Sequence, residues 1–60
     1  MATFTWTATF EYMGEHWSVD IYNREYQPGE YEFLNLVREQ RRNRIGFDPS
    51  RLRLIDISKR

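Results

Sequence analysis

TFTWTATFEY, residues Thr3 to Tyr12, alternates two chemistries without a slip. Phe4, Trp6, Ala8, Phe10 and Tyr12 fall on one side, and Thr3, Thr5, Thr7, Thr9 and Glu11 on the other. Successive side chains of a β-strand point to opposite faces, so this segment carries one aromatic and one threonine face. Aromatic residues and threonine are also the types that suit a pleated surface. A helix would scatter the same aromatics around its circumference. The stretch therefore reads as a strand, and as the middle strand of a small sheet whose aromatic face must cover the apolar sides of everything else.

The segments on either side of it follow from this. Tyr12-Met13-Gly14-Glu15 offers a tight hairpin turn, because Gly14 accepts a positive φ. His16 to Tyr22 alternates again, with Trp17, Val19 and Ile21 on one face and His16, Ser18, Asp20 and Tyr22 on the other. In hairpin register the first set extends the aromatic face. Asn23 to Gly29 reads as a loop. Pro28 suits a helix entrance, and Glu30 and Glu32 sit where a helix dipole favours negative charge. Phe33, Leu34, Leu36 and Val37 form an apolar stripe with Tyr31 at its edge. Arg38, Arg41, Arg42 and Arg44 suit the negative end of the dipole, and Gly46 suits a left-handed stop.

After the connector Phe47-Asp48-Pro49, the run RLRLIDI from Arg51 to Ile57 reads as a third strand. Pro49 delays it, since proline cannot donate to a ladder. Leu52 and Leu54 would face the helix, with Arg51 and Arg53 opposite. The alternation then falters. Ile55 and Ile57 continue on the arginine side unless a bulge switches the phase, and the pattern leaves both options open.

The expected architecture is thus one α+β domain over residues 1–60 in the order β-β-α-β. Its strands lie at about 3–12, 16–22 and 51–57, and its helix at about 29–44. The sheet is antiparallel, in spatial order second, first, third, with the helix on one face. The expected core is Phe4, Trp6, Phe10, Trp17, Val19, Ile21, Phe33, Leu34, Val37, Leu52 and Leu54.

Composition narrows the function. A 60-residue chain without cysteine has no disulfide or thiolate site to brace it, and a domain this small buries only about 60% of its unfolded surface. Ten aromatic residues (two Trp, four Tyr, four Phe) compensate. The absence of cysteine suits a reducing compartment. No apolar run approaches a membrane span and no signal-like start is seen, so no membrane association is expected.

Net charge is zero but polarised. Residues 1–30 hold five acids against Arg24, a net of −4, and residues 31–60 hold eight bases against four acids, a net of +4. Such asymmetry suits a binding protein with two unlike surfaces, and equally an ordinary solvated exterior.

Catalysis has little to work with. His16 is the sole histidine and lies beside the turn on the solvent side of its strand. No serine sits in a nucleophile elbow and no phosphate loop is present. Glu11 and Asp20 would be brought together across the hairpin, where two carboxylates without a third ligand make only a weak cation site. A non-enzymatic protein without metal or other cofactor is expected. The arginines at 38–44 could grip phosphate, with aromatic rings stacking bases, but zero net charge lacks the basic footprint of a nucleic-acid binder. Small single-stranded nucleic-acid binding is therefore the lesser reading. Arg51 and Arg53, two apart on a strand, would point the same way about 6–7 Å from each other. They either present paired forks to carboxylates on another protein or guard an edge strand against aggregation.

The stretch Gly46-Phe47-Asp48-Pro49-Ser50-Arg51-Leu52-Arg53 resembles the end of the small early protein with which certain lytic coliphages inhibit host RNA polymerase. In that family a glycine–phenylalanine–acid opening leads to a final strand with two arginines flanking one apolar residue. The hairpin is similar too: Trp6-Thr7-Ala8-Thr9-Phe10-Glu11, then Glu15-His16 opening a second strand that ends Ile21-Tyr22. The resemblance implies one helix on a three-stranded antiparallel sheet. It also implies a monomer that acts in the host bacterial cytoplasm. There it would bind the jaw of the polymerase β′ subunit beside the downstream DNA channel and block promoter opening by the enzyme carrying the housekeeping sigma factor. Arg51 and Arg53 match the family's jaw-contacting arginines, and Phe47 and Asp48 complete the partner-binding set. The family's acidic strip would correspond to Glu25, Glu30 and Glu32. Here the second half of the helix carries Arg38, Arg41, Arg42 and Arg44 instead of acids, the loop before it is longer, and Pro49 replaces an apolar residue. An inhibitor or adaptor for another host protein is the alternative.

Overall fold

The computed structural model describes residues 2–60. Strand β1 spans Phe4–Tyr12, β2 Glu15–Arg24, helix α1 Glu30–Arg41 and β3 Arg53–Lys59, with a single 3-10 turn at Pro49–Arg51. The sheet is antiparallel in the order β2-β1-β3, as expected from the β-β-α-β connectivity. Met13 (φ 47°) and Gly14 (φ 84°) both take positive φ, the geometry of a two-residue turn whose twist matches the strands it joins. That turn sets the register, and Phe10 faces Trp17, Ala8 faces Val19 and Trp6 faces Ile21. The aromatic face is thereby continuous across both strands.

Helix α1 lies on this face, with its principal contacts to β2. Its entrance is fixed at Gly29, whose amide donates to the Glu32 carboxylate (3.4 Å) and whose carbonyl accepts from the Glu32 amide (3.1 Å). Phe33 and Val37, four residues apart and so on one face, are the buried members of the apolar stripe. Leu34 and Leu36 flank them, half-buried. The core is Ala8, Phe10, Tyr12, Trp17, Val19, Ile21, Phe33 and Val37.

Several expectations are corrected. The helix ends at Arg41, not Arg44. Backbone bonds from Arg44 to Arg41 and from Phe47 to Arg44 turn the chain instead of continuing it, and Gly46 takes its positive φ (80°) in that turn. Phe4 is half-buried outside the core, edge-on to Trp6 with the Lys59 ammonium over its ring. Strand β2 runs on to Arg24, its register shifting near Asn23, which takes φ 58°. Arg51 is not in the third strand at all, because Asp48 and Pro49 begin the 3-10 turn that contains it.

The open question in RLRLIDI has an answer. Phe10 faces Leu54, but Thr9 faces Asp56, so Ile55 is the extra residue of a bulge. The phase switches there. Ile57 comes to lie opposite Ala8 and packs against the core, while Ile55 remains 49% exposed.

Candidate protein-binding surface

The connector between α1 and β3 is held by an aromatic cluster. Tyr12 stacks on Trp17 at 4.5 Å between centroids, and Phe47 lies 5.4 Å from Tyr12 and 5.9 Å from Trp17. The Tyr12 hydroxyl donates to the Gly46 carbonyl (3.2 Å) and accepts from the Asp48 amide (2.9 Å). One hydroxyl at the end of the middle strand thus fixes both sides of Phe47. Sequence periodicity assigns Tyr12 to the core face but does not reveal this second role, since its partners lie 34 and 36 residues away.

Beyond Phe47, Asp48 caps the 3-10 turn. Its Oδ1 accepts from the Ser50 amide (3.1 Å) and the Ser50 hydroxyl (2.7 Å), and its Oδ2 lies 3.6 Å from Arg51 Nε. The Ser50 hydroxyl, then the Ser50 amide, and more weakly Arg51, hold the Asp48 carboxyl below its ordinary value of 3.8. The Asp-Pro-Ser sequence carries the signal for this turn: a capping carboxylate followed by proline at the first turn position.

Four residues were expected to bind the partner, and they fall into two groups. Arg51 and Arg53 are exposed, but Arg51 sits on the turn and Arg53 opens β3 opposite Glu11. The two do not share a strand face as their spacing suggested. Asp48 braces Arg51. Phe47 is half-buried in the aromatic cluster and anchors the segment.

Of the acidic set, Glu25 is half-buried and Glu30 is exposed. Glu32 lies 3.3 Å from Arg24 and also meets the helix entrance. Glu11 and Asp20 do not meet, because Glu11 faces His16 and Asp20 faces Thr7, whose hydroxyl donates to it at 2.6 Å. Among the described residues no group of three or more metal-ligating side chains occurs.

The arginine run is largely engaged within the molecule. The guanidinium carbons of Arg41 and Arg44 stand 4.5 and 5.1 Å from the Trp17 ring centroid. Arg44 also pairs with Glu15 (3.2 Å), and Arg42 pairs with Glu39 (3.4 Å). These contacts explain why the turn after Arg41 is drawn toward the hairpin. The β3 side also carries exposed cations: Arg51 pairs with Asp48, Lys59 lies over the Phe4 ring, and Arg53 and Arg60 make no ion pair among the described residues. Comparison with protein-family models, with curated proteins and with solved structures finds no match.

Proposed function

We propose that this chain is a non-enzymatic, phage-encoded inhibitor of bacterial RNA polymerase that binds the β′ jaw near the downstream DNA channel and blocks promoter opening. The observation that carries the reading is the exposure of Arg51 and Arg53 where the chain enters β3, a free edge of the sheet. Guanidinium groups at such a site can form paired, charge-assisted bonds with carboxylates of another protein. The Asp48 cap and the Tyr12 hydroxyl pre-order the segment, so less side-chain and loop entropy is lost on binding. Glu25, Glu30 and Glu32 would place negative charge near the channel, where it repels DNA phosphates. Nucleic-acid binding is weakened as a rival by the internal engagement of Arg41, Arg42 and Arg44. A different host protein is the second reading, favoured by the basic second half of the helix where the resembled family has acids.

The test is capture from bacterial lysate on the immobilised chain, with β′ identified by mass spectrometry. Retention of β′ by the native chain and its loss on Arg51→Glu with Arg53→Glu are expected. Capture of a different protein with the same arginine dependence would establish the second reading. Failure of the native chain to retain β′ would overturn the first. A mobility shift with DNA or RNA alone that weakens steeply with salt would support the nucleic-acid reading instead.

A further inference from the structure

The opposite edge of the sheet carries a different kind of site. A groove of about 640 Å³ runs between β2 and α1, lined by Asp20, Ile21 and Tyr22 from the strand and by Glu32, Leu36 and Glu39 from the helix. Asp20 and Tyr22 point to one face of the sheet and Ile21 to the other, so a groove touching all three wraps the strand's edge. That edge is free, since β2 pairs only with β1. The register fixes which backbone groups it presents. The two-residue turn makes Tyr12 and Glu15 a hydrogen-bonded pair, and in an antiparallel ladder such pairs alternate. Residues 15, 17, 19 and 21 therefore direct their amides and carbonyls toward β1, and Asp20 and Tyr22 direct theirs outward, into the groove.

We propose that this groove binds an extended, basic segment of another polypeptide, which adds to β2 as an antiparallel fourth strand. Three observations select that occupant. The outward amides and carbonyls of Asp20 and Tyr22 need a backbone partner, which a strand supplies. Ile21 and Leu36 form an apolar floor that takes alternate side chains. Asp20, Glu32 and Glu39 line the groove; Arg24 pairs with Glu32 and Arg42 with Glu39, so among the described residues Asp20 is the groove carboxylate that has no cation beside it. That charge favours lysine or arginine and disfavours an acidic segment. The β3 edge offers no equivalent, because the Ile55 bulge breaks its ladder and Arg53, Lys59 and Arg60 guard it. The inference is independent of the polymerase reading, which uses that other edge.

The probe is the capped heptapeptide Lys-Val-Lys-Val-Lys-Val-Lys, titrated into the isotope-labelled full chain and followed by backbone amide shifts and hydrogen exchange. The Asp20 and Tyr22 amides should shift and gain protection, with valines on Ile21 and Leu36 and lysines on the Asp20 face. Residues of a hydrogen-bonded antiparallel pair share a face. Methylating the lysine amides should therefore weaken binding by about tenfold or more, while methylating the valine amides leaves it largely intact. Asp20→Asn, which keeps an acceptor for Thr7, should weaken binding about threefold. Glutamate in place of lysine should abolish it. Four results would overturn the proposal: no shift at Asp20 and Tyr22 at millimolar peptide, equal binding of the acidic peptide, indifference to which amides are methylated, or concentration-dependent shifts of these amides without peptide. The last would mark β2 as a contact between copies of the chain.

Discussion

The two edge strands flank the same middle strand but are held in unlike ways. Strand β2 faces β1 in unbroken register from Tyr12–Glu15 to Thr7–Asp20, and its Trp17, Val19 and Ile21 are buried with the helix over them. Strand β3 is interrupted by the Ile55 bulge and contains no buried residue, only half-buried Leu54 and Ile57. Cohesion is concentrated in the hairpin and helix. The other edge is loosely covered and rich in cations, which is where a binding surface can vary without dismantling the core.

The most severe way to break this contrast is on the hairpin–helix side. Phe33 is fully buried, and truncating a buried phenylalanine costs about 3–5 kcal/mol. The whole stability expected of 60 residues is about 3–9 kcal/mol. Phe33→Ala should therefore lose most of its folded population in thermal or urea unfolding followed by circular dichroism. Leu54→Ala on β3 should cost about 1–2 kcal/mol, because only part of that side chain leaves water. Equal losses would refute the asymmetry.

A sharper probe lies where the two regions join. Tyr12→Phe keeps the ring stack but removes the hydroxyl shared by Gly46 and Asp48, at a cost of about 1–2 kcal/mol. Faster exchange should appear at the Asp48 amide while Trp17 and Val19 stay protected. In the unaltered chain, β3 amides should already exchange faster than their β1 and β2 counterparts, as expected for the less buried element.

The smallest effect is on acidification. Asp48 titrates below 3.8 in the folded chain, so its cap contributes fully above the ordinary carboxylate range and is lost as pH falls through the lowered value. The Asp48 carboxyl midpoint followed by NMR should lie below 3.8, and the Ser50 amide should move with it. Ser50→Ala should bring the midpoint back toward 3.8, since the serine hydroxyl is the main cause of the depression.

How much was legible in the sequence follows the same division. The strict alternation of Thr3–Tyr12, the glycine at the turn and the apolar stripe through Phe33 and Val37 are local signals. They lead to the sheet order and the hairpin register. The helix end was obscured, because arginines at 42 and 44 suit a helix terminus as well as they suit the turn that reaches Glu15 and Trp17. Near β3, Arg-x-Arg imitates a strand face, but Asp48 and Pro49 take Arg51 into a turn. The Ile55 bulge is marked by the faltering alternation, yet only pairing with β1 decides which isoleucine turns inward. The Tyr12 hydroxyl and the free amides of Asp20 and Tyr22 depend on long-range placement that no local pattern carries.

The most direct test of the β3 side as the working surface is transcription by purified bacterial RNA polymerase with its housekeeping sigma factor. The native chain is compared with the Arg51→Glu, Arg53→Glu double variant. Both side chains are exposed, but the new glutamates would sit beside Asp48 and opposite Glu11, so the variant should lose about 1 kcal/mol and remain folded by circular dichroism. Promoter opening should be blocked by the native chain and proceed normally with the variant. Equal inhibition by both, with the variant folded, would contradict the assignment of that edge.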